Sequence, residues 1–380
     1  MTKTVEKTTL EKPQHGGQIY QFLRQKYPLS SEFEAFDKIL DFSASINPIL
    51  PSIDWPFVNC VAQKALIHYP DNTQSALKNA LASKFTLSPQ QITLTNGISS
   101  AILSLFSTFK PDTTVLLTPI YSEYVRAAHL YSQHTLEFEV NSLVDLQPAH
   151  YAPIFNALTE HSILVLVNPS TPLGLYFTPE DLHELMVYLK QINCWVLVDE
   201  SFLPFIGFAR HLSFRHALSE NPKMIILQSL TKYYACPGLR IGSLFSAANA
   251  LMNLPWTSWP ISVLDEQVLL QALEDKQHDE RTRQFFNTEK PRFIEQLQAC
   301  ELIQSVSVGS TNFVLVQTLV SAQTLAKTLQ EFNILIRDCE NFGLGQHSAR
   351  IAIRSAKEND CFIDAMHQSA QLLRACNDAV

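Results

Sequence analysis

Residues 163–174 read Ile-Leu-Val-Leu-Val-Asn-Pro-Ser-Thr-Pro-Leu-Gly, an apolar run that stops at a polar, proline-pinned loop. A helical pattern follows over 179–192, and residues 195–198, Trp-Val-Leu-Val, are apolar again before Asp199 and Glu200. Five consecutive apolar residues bounded by turn signals are too short for a helix and read as a strand buried on both faces. Strand, helix and strand in succession make a βαβ unit, whose two strands lie parallel in one sheet.

The same alternation extends to both sides. Strands are expected at 92–94, 114–117, 135–140 and 224–227, and helices at 98–109, 121–131 and 152–159. This predicts an α/β fold with a doubly wound, mostly parallel sheet. After Pro255-Trp-Thr-Ser-Trp-Pro260 the pattern changes. Helices are expected at 262–274, 280–299, 322–332 and 359–375, with short strands at 306, 313–316, 334–336 and 350–353. Without strict alternation, this part predicts a smaller α+β domain, completed by the N-terminal arm with its helix at 18–26 and extended segment from Leu40 to Pro48. The expected division is 1–48 for the arm, 49–258 for the large domain and 259–380 for the small one.

Bulk properties exclude several function classes. The chain has 380 residues, 46% of them hydrophobic and 17% charged, enough for a sizeable core and too apolar for extensive disorder. A formal net charge of −8 argues against nucleic acid, which is bound through clustered Lys and Arg. Seven cysteines without a Cys-x-x-Cys pair and twelve histidines without a His-x-x-x-His spacing argue against a metal centre or disulfide frame. No apolar run approaches the ~20 residues that span a bilayer, and residues 1–17 carry no apolar leader segment. A soluble, cytoplasmic protein is the expectation.

In doubly wound sheets ligands bind beyond the carboxyl ends of the strands, and candidate residues fall there. Asn96-Gly97-Ile98 joins a strand end to a helix start, where free backbone N–H groups attract an anion; Asn-Gly is also a common turn. Tyr121 opens the next helix and is placed to stack on a flat ring or to pack. Asn168 follows the apolar run. Asp199 ends the next strand, where an acid must find a cation, a helix start or a ring N–H. After the strand at 224–227 comes Gln228-Ser-Leu-Thr-Lys-Tyr-Tyr-Ala-Cys-Pro-Gly-Leu-Arg-Ile-Gly242. It places the hydroxyl of Ser229, the amine of Lys232 and the guanidinium of Arg240 on one connection. Such a set suits a ligand with a carbonyl to condense with the lysine and a phosphate to hold.

Ser-Leu-Thr-Lys followed by Pro-Gly-Leu-Arg-Ile-Gly resembles the Schiff-base segment of fold-type I pyridoxal-phosphate enzymes, in the branch of histidinol-phosphate aminotransferases and threonine-phosphate decarboxylases. The resemblance covers nearly the whole chain. It implies Lys232 as the Schiff-base lysine and Asp199 as partner of the ring nitrogen. It implies Asn168 as donor to the ring oxygen and Tyr121 as the stacking aromatic. Gly97, Ile98, Ser229 and Arg240 would form the phosphate cradle, and Arg354 in Arg-Ser-Ala-Lys-Glu-Asn would bind the substrate carboxylate. Tyr69, in Tyr-Pro-Asp, would reach the cofactor phosphate of a neighbouring subunit, making the active sites a shared property of a homodimer. His15-Gly-Gly and Asp41-Phe-Ser are similar to the N-terminal arm of the decarboxylases, and His15 is the candidate for a substrate phosphate.

Two departures stand out. The family's Asn-Pro-Asn-Asn-Pro-Thr-Gly is here Asn-Pro-Ser-Thr-Pro-Leu-Gly, and Phe202 stands where the aminotransferases place a tyrosine. The resemblance therefore implies decarboxylation of L-threonine O-3-phosphate, with a histidinol-phosphate-type aminotransferase as the alternative. A non-catalytic binding protein on the same fold is disfavoured by the intact Lys232.

Overall fold

The computed structural model describes residues 15–27, 36–248, 250–252 and 254–378. Residues 1–14, on which most of the leader reading rests, lie outside the described residues. The described chain divides into two compact units. One comprises Leu50–Thr171 and Leu175–Glu280; the other comprises 15–49, Pro172–Gly174 and 281–378.

The first unit holds a seven-stranded sheet in the order Ile92–Asn96, Ile241–Phe245, Met224–Gln228, Trp195–Asp199, Ile163–Val167, Thr113–Thr118 and His134–Glu139. Strand Ile241–Phe245 is antiparallel to both its neighbours, and the remaining pairs are parallel. Six strands therefore end, and the antiparallel one begins, along one edge. Alternating side chains feed two cores: Val196 and Val198 join Leu164, Leu166 and Ile226 on one face. Leu197 joins Val165, Val167, Ile225 and Leu227 on the other.

Helix Val263–Glu274 buries Leu269 and Ala272 in the first of these cores. The compact unit accordingly runs to Glu280, where the sequence reading placed the small domain from 259. The decisive contacts are tertiary and leave no mark in local composition.

The second unit has a four-stranded antiparallel sheet, Arg337–Asp338, Ser348–Ala352, Phe313–Thr318 and Ile303–Val308. A two-stranded parallel pair joins Leu40–Asp41 of the arm to Ile334–Leu335. The arm is thus built into the C-terminal third. Phe42 anchors it, with no exposed surface and its ring 4.6 Å from that of Phe362; burying such a side chain is worth about 1.5–3 kcal/mol.

No helix among the described residues is long and apolar enough to cross a membrane. Among them, no group of three or more His, Cys, Asp and Glu is placed to hold a metal ion.

Candidate active site

Parallel pairing of Val167 with Asp199 and of Asp199 with Leu227 brings the ends of three strands into line. Asn168, Asp199 and the Gln228–Lys232 connection therefore sit side by side within the first unit. Asp199 is 4% exposed. Its Oδ1 accepts from Ser201 N (2.9 Å) and its Oδ2 from Tyr124 Oη (2.9 Å). Both donors are neutral, and Asp199 has no ion-pair partner among the described residues. A buried carboxylate in that position calls for a cation, and a protonated pyridine nitrogen is one.

Tyr124, fully buried, is a site residue that the sequence reading missed. Burial first, and the Asp199 charge second, push its hydroxyl well above the ordinary tyrosine range, so it stays a donor. The signal was present: Tyr124 lies one helical turn beyond Tyr121, on the apolar face of helix Ser122–Tyr131 that also buries Ala127 and Ala128. Tyr124→Phe is expected to lower the unfolding free energy of the cofactor-free protein by ~1.5–3 kcal/mol, the worth of a hydrogen bond to a charged group. The urea midpoint measures it, and an unchanged midpoint would mean the bond contributes nothing.

Tyr121 precedes that helix as its N-cap, its ring 6.3 Å from Tyr124 and edge-on to it, its Oη 3.1 Å from Ser99 Oγ. Burial raises its pKa, the Ser99 contact opposing. Lys232 lies on the short helix Leu230–Tyr233, its Nζ 5.0 Å from the centre of the Phe202 ring. Ser229 caps this helix; its N–H donates to Ser201 Oγ (3.0 Å) and its Oγ is 3.1 Å from Thr231 Oγ1.

The cradle is built on close backbone approach. Gly97 opens helix Gly97–Phe109 at φ +74°, and a Cβ there would sit 2.8 Å from Arg240 Nη2, which places the guanidinium against the helix start. A Cβ on Gly242 would stand 2.7 Å from the Gly97 carbonyl carbon and 2.8 Å from Ile98 N. Glycine is required at 242 for the antiparallel strand to pass that helix start. A positive side chain beside the free N–H groups of Gly97 and Ile98 is a phosphate site in kind. Glycine cradle, buried acid and adjacent amine together fit a phosphorylated pyridine aldehyde.

Asn168 is more committed than the sequence suggests. Its Nδ2 donates to Phe177 O (2.7 Å) and its Oδ1 accepts from Phe177 N (2.9 Å), clasping the loop between them. One Nδ2 hydrogen is left over for a ring oxygen. Tyr69 is 80% exposed and stacks on Trp259 at 4.6 Å.

His15 and Arg354 belong to the second unit. Arg354 donates from Nε (3.2 Å) and Nη2 (2.7 Å) to Glu358 Oε1. His15 is half-buried and begins a turn in which Gly17 N donates to Ser43 Oγ (2.8 Å), itself donating to Asp41 Oδ1 (2.5 Å). The two arm motifs, 26 residues apart in sequence, are therefore in contact.

The family model described as aminotransferase class I and II matches residues 38–366. The chain belongs to that family. Among its relatives, the threonine-phosphate decarboxylase of Salmonella typhimurium is 32% identical over 340 residues, covering 87% of this chain and 91% of that protein. The adenosylcobalamin biosynthesis bifunctional protein CobDQ of Leptospira interrogans is 30% identical over 93% of this chain, which spans only 40% of that longer protein. The solved histidinol-phosphate aminotransferase of Clostridium acetobutylicum superposes with a TM-score of 0.76 at 26% identity, over 87% of this chain and 98% of that one. Membership of the class I and II aminotransferases makes this a pyridoxal-phosphate-dependent enzyme, in keeping with the fit of its cradle, acid and lysine.

Proposed function

We propose that the protein decarboxylates L-threonine O-3-phosphate, releasing carbon dioxide and leaving (R)-1-amino-2-propanol phosphate for cobalamin biosynthesis. The observation that carries the reading is the joined N-terminal motif, in which Gly17, Ser43 and Asp41 tie His15-Gly-Gly to Asp41-Phe-Ser. The names of the relatives from Salmonella and Leptospira support it. Amino transfer from histidinol phosphate to 2-oxoglutarate is the second reading, favoured by the likeness to the Clostridium enzyme.

Bound pyridoxal phosphate supplies an electron sink for a bond broken at the substrate's α-carbon. In this assignment Asp199 would keep the ring nitrogen protonated, Tyr121 would stack on the ring and the spare Nδ2 hydrogen of Asn168 would serve the ring oxygen. Gly97 N–H, Ile98 N–H, Ser229 and Arg240 hold the phosphate. Lys232 Nζ would hold the cofactor and would deliver the proton that replaces carbon dioxide on the α-carbon. The residues gripping the substrate would choose which bond at the α-carbon breaks; such positioning can supply several kcal/mol of the barrier. His15 and Arg354 are our candidates for the substrate's phosphate and carboxylate. Phe202 supplies no hydroxyl to the ring oxygen, unlike the aminotransferase tyrosine. Tyr69 with neighbouring Ile67, 81% exposed, is an apolar surface suited to a second copy of the chain in a homodimer with shared active sites.

Cofactor-loaded enzyme given L-threonine O-3-phosphate and no keto acid is expected to release carbon dioxide over many turnovers per site. Absence of release, with glutamate formed from histidinol phosphate and 2-oxoglutarate, would replace this reading with the second.

A further inference from the structure

Glu200 follows Asp199 in the chain, and strand alternation turns it to the opposite face of the sheet, the face of Val196 and Val198. On that face the end of helix Ser75–Phe85 and the turns Arg210–Leu212 and Phe214–Glu220 enclose a pocket of about 100 Å³. Lys84, Phe85, Phe208, Arg210, Arg215 and His216 are among its lining residues. Four of these six side chains are basic, and among the described residues no acidic side chain lines the pocket.

Two of the cations are held by aromatic faces. Lys84 Nζ lies 4.1 Å from the Phe208 ring centre and pairs with Asp279 Oδ2 at 2.9 Å. Arg215 Cζ lies 4.3 Å from the Phe85 ring centre and 5.2 Å from that of Phe245. Arg210 is exposed. His216 Nδ1 is 2.6 Å from Ser213 O, so that nitrogen carries its proton and Nε2 is left for another partner.

Arg215 is the group that needs explaining. It is only 6% exposed, and its Nη1 stands 3.1 Å from Glu200 Oε2. That contact lacks hydrogen-bond alignment, and Nη1 has no hydrogen-bond acceptor among the described residues. Glu200 is already served by neutral donors: Ser213 Oγ reaches Oε2 at 2.6 Å and Phe214 N reaches Oε1 at 2.9 Å. A buried guanidinium with an unsatisfied donor is costly and asks for an acceptor. The lysine and arginine groups around one small concavity, Lys84, Arg210 and Arg215, would supply that acceptor's counter-charge.

We infer that this pocket is a binding site for inorganic phosphate, separate from the cofactor's own phosphate cradle and on the other face of the sheet. The volume, roughly three waters' worth, admits a bare tetrahedral oxyanion and is far below the several hundred Å³ of a pocket for a drug-sized metabolite. Glu200, the ion-pair partner of Arg215, also borders the connection that carries Lys232. Gln228 Nε2 donates to Glu200 O at 3.2 Å, and Gln228 directly precedes Ser229.

The test is calorimetric titration of the cofactor-loaded enzyme with inorganic phosphate, in the wild type and in Arg210→Glu, whose exposed side chain makes misfolding improbable as an explanation. Phosphate affinity should fall at least ~10-fold in the variant, the loss of about one charged hydrogen bond, while kcat/KM on the enzyme's own substrate stays unchanged. Arg215→Gln should lose the same binding event. Equal phosphate affinity in wild type and Arg210→Glu would place any binding elsewhere, including at a substrate-phosphate site, and would overturn the inference. So would a wild type that binds no phosphate.

Discussion

Lys232→Ala is expected to reduce turnover by ~10⁴-fold or more, the upper range for removing a group that transfers a proton at the reacting atom, with loss of covalent attachment of the cofactor added to it. The protein should still fold. Lys232 lies on the four-residue helix Leu230–Tyr233, whose neighbours Leu230, Thr231 and Tyr233 are buried, and alanine is favoured in helices. The amine lies 5.0 Å from the centre of the Phe202 ring, a contact worth about 0.5–1 kcal/mol. Lys232→Arg is the sharper control, because it keeps a cation over Phe202 yet cannot form the bond to the cofactor. Both variants should be inactive, and borohydride should fix pyridoxal phosphate to the wild-type chain alone. If Lys232→Arg retained activity, the lysine would be a charge partner and the reaction would need another amine.

Much of this site was legible because buried parallel strands announce themselves. Ile163–Val167 and residues 224–227 are continuous apolar runs, and the polar residues that stop them are the ones that gather at the sheet edge. Three features were hidden, each for a physical reason. Strand Ile241–Phe245 reads Ile-Gly-Ser-Leu-Phe, and the glycine demanded by contact with Gly97 and Ile98 breaks the β pattern that would have revealed it. The clasp of Asn168 on Phe177 closes a loop over nine residues, a matter of tertiary geometry rather than of residue type. The Glu200–Arg215 contact lies across the sheet from the motif that drew attention to Asp199, and nothing local to Arg215 marks it as buried. The alternation that made the fold readable also separated these two acids, sending neighbours in sequence to opposite faces.

Asp199→Asn tests the electrostatic centre of the site. Asparagine is nearly the same shape, can still accept from Ser201 N, and can offer its amide to Tyr124 Oη in place of accepting from it, so the strand end should persist. The negative charge is what disappears, from a site 4% exposed where, among the described residues, no other carboxylate hydrogen-bonds the two donors. A ring nitrogen that loses its anionic partner no longer holds its proton as firmly, and the electron sink weakens in the transition state more than in the bound ground state. Turnover should fall by on the order of 10²–10³-fold, as for deletion of one preorganised electrostatic contact. KM should move much less, because this assignment gives Asp199 no contact with the substrate. The cofactor should also leave more readily on gel filtration. A pattern of raised KM with unchanged kcat would place Asp199 among the substrate ligands instead. A variant with wild-type kcat and full cofactor retention would mean that the buried acid serves only to seat Tyr124 and Ser201, and that the ring nitrogen finds its partner elsewhere.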